Sequence, residues 1–131
     1  MTFRETLEEH LRALKDRDLP ALVATLPDDE LTLIRPDGRV VRSVDEFVRL
    51  HRDWFSSPSW AIEPRLEELT ECESLGLAVI HLTSRDEPGD DDRDRARGVH
   101  RDILTLAFAR QGDRWVLFHN QSTPIRSRPQ G

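Results

Sequence analysis

The chain has 131 residues, with 19 basic and 25 acidic side chains, a formal charge of −6 and 37% apolar residues. That length fits one domain spanning residues 1–131, large enough to bury a core without staples. The lone Cys72 rules out an internal disulfide and a Cys-based zinc site, no apolar run approaches the ~20 residues of a membrane span, and the acidic balance argues against a nucleic-acid partner.

The N-terminus (Met1-Thr2-Phe3-Arg4-Glu5) is polar and lacks the pattern of a secretory signal or transit peptide, so a soluble, cytoplasmic domain without a membrane partner is expected. Phe3, Leu7, Leu11 and Leu14 recur at helical spacing, and Thr2 with Glu5 forms a capping-box pattern, predicting a helix over 2–15. Asp18 precedes a second short helix over 19–26, with Pro20 near its first turn. A brief strand follows at 30–34, then the turn Arg35-Pro36-Asp37-Gly38-Arg39 and a return at Val40-Val41. Ser43 and Glu46 open a third helix, ended by Ser56-Ser57-Pro58, with an apolar face that includes Phe47, His51, Trp54 and Phe55.

Beyond that point the periodicity changes. Four long strands are predicted at 60–70, 75–84, 99–110 and 114–123, with tight connections at Glu71–Ser74 and Gln111–Asp113. Residues 85–98 have mixed charge and nothing that forms a core, which predicts a solvated, mobile hairpin loop. The order of elements is that of an α+β fold: a curved antiparallel sheet with three helices on one face.

Two segments carry a family resemblance. One is the hairpin 104–124 with its Gly112-Asp113-Arg114-Trp115 turn and following His119; the other is His51-Arg52-Asp53-Trp54-Phe55 with Pro58 and Trp60. Together with the element order, they resemble the SnoaL-like branch of the nuclear-transport-factor-2-like superfamily, whose fold is a conical α+β barrel. The resemblance spans nearly the whole chain and implies fold far more than function, because the scaffold hosts isomerases, cyclases, dehydratases, binding proteins and dimerisation modules. Related sequences often carry an acid where this chain has Asn120. The Tyr donor of the ketosteroid-isomerase relatives has no counterpart, since the chain contains no Tyr.

Strand parity selects the candidate site. If Arg110 pairs with Trp115, then Phe108 meets Leu117, Leu106 meets His119, Leu104 meets Gln121 and Asp102 meets Thr123 on one face. Ile103, Thr105, Ala107, Val116, Phe118 and Asn120 then occupy the other face, which suits an isologous homodimer. A one-residue slip exchanges the faces, so whether His119 or Asn120 meets the cavity depends on register.

In this register His119 and Asp102 are the candidate catalytic pair, because a carboxylate fixes the tautomer of an imidazole that accepts a proton. Gln121 is placed to steady developing negative charge. The plainer alternative is a structural role for both groups. Trp54, Trp60, His51, Gln121 and Asn120 are the candidate ligand-binding residues. Asp53, two positions from His51, points elsewhere on the helix.

His81, His100, Asp102 and His119 lack any spacing that enforces coordination, so no metal and no cofactor is expected. His10, beside Glu8 and Glu9, is expected at the surface. The uniform use of Arg (18 of 19 basic residues) reads as codon bias and solvated charge. Two functions remain. One is a binding protein for a small hydrophobic molecule, acting as a cofactor-free isomerase, cyclase or dehydratase on a carbonyl compound. The other is an association module with a vestigial pocket.

Overall fold

A computed structural model describes residues 1–86 and 98–125. Its elements follow the expected order: α1 (Phe3–Asp16), α2 (Leu19–Val23), β1 (Glu30–Ile34), β2 (Val40–Ser43), α3 (Val44–Ser56), β3 (Ala61–Glu71), β4 (Leu75–Asp86), β5 (Gly98–Gln111) and β6 (Arg114–Pro124). Most of the charged loop expected at 85–98 lies outside the described residues. At its two ends β4 and β5 run on, pairing Asp86 with Gly98.

Local chemistry sets the helix ends. Thr2 Oγ1 accepts from the Glu5 amide at 3.1 Å while the Thr2 amide donates to Glu5 Oε1 at 2.8 Å, so the capping box is complete. Asp18 caps α2 through the Ala21 amide and Ser43 caps α3 through the Glu46 amide. α1 ends in a residue that would ordinarily be Gly: Arg17 takes φ 59°. Its guanidinium crosses to the end of α3, donating to the carbonyls of Phe55 and Ser57. Those tertiary bonds help hold a conformation that L side chains adopt at a cost.

The six strands lie in the order β2-β1-β6-β5-β4-β3. The sheet is curved but unclosed, and β1 runs parallel to β6 where a wholly antiparallel sheet was expected. The helices cover its inner face. Phe3, Leu7, Phe47, Ile80, Leu106, Phe108 and Leu117 are fully buried there, each contributing about 1.5–3 kcal/mol by leaving water. At Gly76 an added Cβ would stand 2.6 Å from three atoms of the Phe3 ring, so α1 can dock this closely only over a glycine. Phe3 also packs on Phe108 and Trp115, with centroids 5.5 and 5.4 Å away.

The pairing of β5 with β6 decides the site. Arg110 meets Trp115 and Phe108 meets Leu117 as expected, but a bulge then leaves Phe118 without a partner. Beyond it Ala107 meets His119, Leu106 meets Asn120 and Leu104 meets Ser122. The extra residue reverses every later side chain of β6. The bulge falls where the other edge of β6 changes partner: the Leu117 amide donates to the Thr25 carbonyl at 2.9 Å, and β1 takes over from His119 onward.

Candidate functional site

At the open end of the sheet, under α1 and α3, lies a cavity of about 180 Å³. Its apolar wall comprises Leu14 of α1, Leu33 of β1, Ile62 of β3, Leu82 of β4 and Leu104 of β5, with Trp54 and Trp60 beside them. Its polar groups are Arg35, His51, Ser84, Asp102, Asn120 and Ser122.

The bulge rearranges the expected constellation. Asn120, not His119, faces the cavity, and Asn120 is 5% exposed. His119 and Gln121 turn to the outer face, where they pair with Ala107 and Thr105. His119 thus lies opposite a residue five positions from Asp102, about 17 Å along the strand and on the other side of the sheet. The two cannot work as a proton-transfer pair. Asp102 itself is buried, lines the cavity and has an interaction of its own. Of the four side chains weighed as metal ligands, His81 and His119 share the outer face and His100 and Asp102 the inner one. Among the described residues no three His, Cys, Asp or Glu side chains cluster as a metal site.

α3 delivers the aromatic part. His51 stacks on Phe47 at 4.1 Å and meets Trp54 edge-on at 4.8 Å. Its Nδ1–H donates to the Phe47 carbonyl at 2.8 Å, which leaves Nε2 as the acceptor. Burial pushes this imidazole down to about 4, against the opposing pull of that hydrogen bond, so it is neutral at physiological pH. Trp54 and Trp60 lie nearly parallel, 12° apart with centroids at 6.2 Å. Arg35 caps the Trp54 ring at 5.8 Å and Arg17 the Trp60 ring at 5.9 Å. Each indole of the stacked pair therefore carries its own guanidinium contact, which is favourable.

His10 is fully buried in the core, although its acidic neighbours suggested exposure. Its position on the stripe Phe3, Leu7, His10, Leu14 carried the correct signal. The Thr25 hydroxyl donates to the Leu22 carbonyl and so accepts from His10 Nδ1 at 2.8 Å, leaving Nε2 buried without a partner. Burial, and then the proximity of His51, lower His10 to about 3.

Arg35, Ser84 and Ser122 were not singled out from the sequence. Alternation could have found two of them: Leu31, Leu33 and Arg35 share one parity, as do Ile80, Leu82 and Ser84. Ser122 follows only once the bulge is known.

An open α+β cone with a small, mixed-polarity cavity under its helices is the class of protein that this geometry defines. The chain belongs to the SnoaL-like domain family, matching it over residues 4–126. No curated protein matches the sequence. Among solved structures it is similar to an NTF2-like protein of unknown function from Pseudomonas putida KT2440 (20% identity, TM-score 0.72, covering 95% of this chain and 84% of that one). It is also similar to a protein with a cystatin-like fold from Caulobacter vibrioides (18% identity, TM-score 0.74, 94% and 87%) and to a ketosteroid isomerase-like protein from Erwinia carotovora atroseptica (14% identity, TM-score 0.72, 95% and 94%). At these identities the likeness is one of fold. No helix among the described residues is long and apolar enough to cross a membrane.

Proposed function

We propose that the protein takes a small, largely apolar carbonyl compound into this cavity and transforms it by proton transfer without a cofactor, as an isomerase, cyclase or dehydratase. The supporting observation is a cavity with an apolar wall that also carries polar atoms with no protein partner among the described residues, Asn120 Oδ1 above all. A buried polar group without a hydrogen bond costs about 1–3 kcal/mol, a cost that a bound ligand can relieve. In this reading Asp102 takes the proton that the sequence assigned to His119. The neutral His51 accepts from a substrate hydroxyl, and Asn120, with its amide turned so that the NH₂ faces the cavity, donates to the oxygen where negative charge develops. Trp54 and Trp60 cover the apolar body. The name of the ketosteroid isomerase-like neighbour belongs to the same reaction class.

The test is a melting-temperature screen of small cyclic ketones and enones against wild type and Trp54→Ala, followed by turnover assays on the hits. Stabilisation of wild type alone, with turnover lost in Asp102→Asn at unchanged melting temperature, supports the reading. Silence across the screen refutes it.

The outer face favours a second role alongside the first, association of two copies. Leu75, Leu77 and Phe118 are 51, 42 and 38% exposed on it or at its edge, with Ile103, Thr105 and Ala107 half-buried between them. Val116, expected in that contact, is completely buried within the protomer and offers no surface. Sedimentation should give a dimer, with Phe118→Arg shifting it to monomer.

A further inference from the structure

We infer that Arg35 and Asn120 form an anion-reading corner of the cavity, and that its ligand carries an ionised carboxylate on a single-ring body. This rests on the cavity being a ligand site and narrows what it takes.

Among the described arginines, Arg17 and Arg35 are half-buried and the others are exposed. Arg12, Arg39 and Arg65 pair with carboxylates, and Arg17 and Arg114 donate to backbone carbonyls. Arg35 lines the cavity with its Nε buried and unpartnered, and among the described residues no carboxylate forms an ion pair with it. Asp37, in the same turn, is close enough to feel its charge, but that carboxylate accepts the Arg39 amide at 2.9 Å and lies 3.9 Å from the Arg39 guanidinium. Asp102 enters the same cavity from β5, two strands away across β6, and has an interaction of its own. A cation with a sealed, unpaired N–H is costly to keep, and an anionic ligand offsets that cost.

The group is also held in place. The guanidinium rests on Trp54, Trp54 stacks on Trp60, and Arg17 caps Trp60 while bonded to the end of α3. A planar fork fixed in this way suits an oxygen pair better than a mobile ammonium would. One strand over, Leu33 pairs with Asn120, so Arg35, just past the end of β1, stands two residues further on and roughly 8 Å from Asn120 between Cα atoms, from ordinary sheet spacings. The Asn120 amide has an unpartnered oxygen and can turn either its oxygen or its NH₂ toward the cavity. With the NH₂ turned inward, both residues donate to one carboxylate.

Size limits the remainder. An apolar cavity of about 150 Å³ holds benzene, so about 180 Å³ admits one ring with a short polar head.

Calorimetry with benzoate and phenylacetate, each against its neutral primary amide, tests the inference on wild type, Arg35→Gln and Arg35→Lys. Wild type should bind the acids at least tenfold more tightly than the amides. Arg35→Gln should erase that preference while changing amide affinity less than threefold, and Arg35→Lys should restore part of it. Equal binding of acid and amide by wild type overturns the anion corner and leaves the cavity reading standing. The same holds for an acid preference that survives Arg35→Gln. Binding of neither acid nor amide overturns the corner, while the ketone screen described above decides the cavity reading separately. The acid-to-amide ratio of wild type decides the question even if Arg35→Gln fails to fold.

Discussion

Strand β5 joins two regions built by the same alternation and put to different use. At its closed end Leu106 and Phe108 are fully buried, and Phe108 packs on the rings of Phe3 and His10. At its open end Leu104 and Asp102 have the same inward parity but face the cavity. The two buried histidines repeat the contrast. Both donate from Nδ1 to an oxygen of their own surroundings; His10 then has its Nε2 sealed in the core, whereas the rest of the His51 ring borders the cavity. The polar group at the closed end is enclosed by packing, and those at the open end border the cavity.

The largest expected break in that contrast is Phe108→Ala. It should cost about 3–5 kcal/mol in denaturant unfolding, because the ring fills a fully packed region. Leu104→Ala should fall at the low end of the 2–5 kcal/mol range, since it borders existing space.

Acid provides the next effect. Both histidines have folded-state values below their ordinary 6.5, His10 at about 3 and His51 at about 4. Below pH 6.5 the unfolded chain therefore binds more protons than the native one, and stability falls as pH falls. The loss approaches 1.4 kcal/mol per pH unit for each histidine, down to about pH 4 for His51 and pH 3 for His10. Unfolding midpoints between pH 6.5 and 4.5 should show a two-proton slope in wild type and about half of it in His10→Leu.

Gly76→Ala should cost about 1–3 kcal/mol, because the new methyl meets the Phe3 ring. The smallest effect has the opposite sign. Asn120→Leu removes a buried amide whose oxygen has no partner among the described residues and fills part of the cavity, so it should raise stability by about 1 kcal/mol while abolishing the proposed ligand binding. An unchanged or lowered melting temperature in that variant would mean the amide is already satisfied.

Much of the fold was legible in the residues. The Thr2 and Glu5 box, the Ser43 cap and the alternation of β4 and β5 are local signals, and each appears where expected. The aromatic rim was legible as well, because Trp54, His51 and Trp60 follow from the face of α3 and its exit. The polar end of β6 was not. Nothing in Phe118-His119-Asn120 marks which residue loses its cross-strand partner, and pairing carried inward from the turn places His119 on the cavity side.

By itself, the sequence determined the element order, the capped helix starts and the inward parity of each strand up to its first irregularity, because these depend on neighbours within a few residues. Only the tertiary structure decided that Asn120 replaces His119 at the cavity, that Arg17 can hold a left-handed backbone, and that no carboxylate among the described residues pairs with the Arg35 guanidinium. Each of these depends on segments distant in sequence: Thr25 and β1 along the edge of β6, the carbonyls closing α3, and the absence of a described carboxylate beside the Arg35 guanidinium.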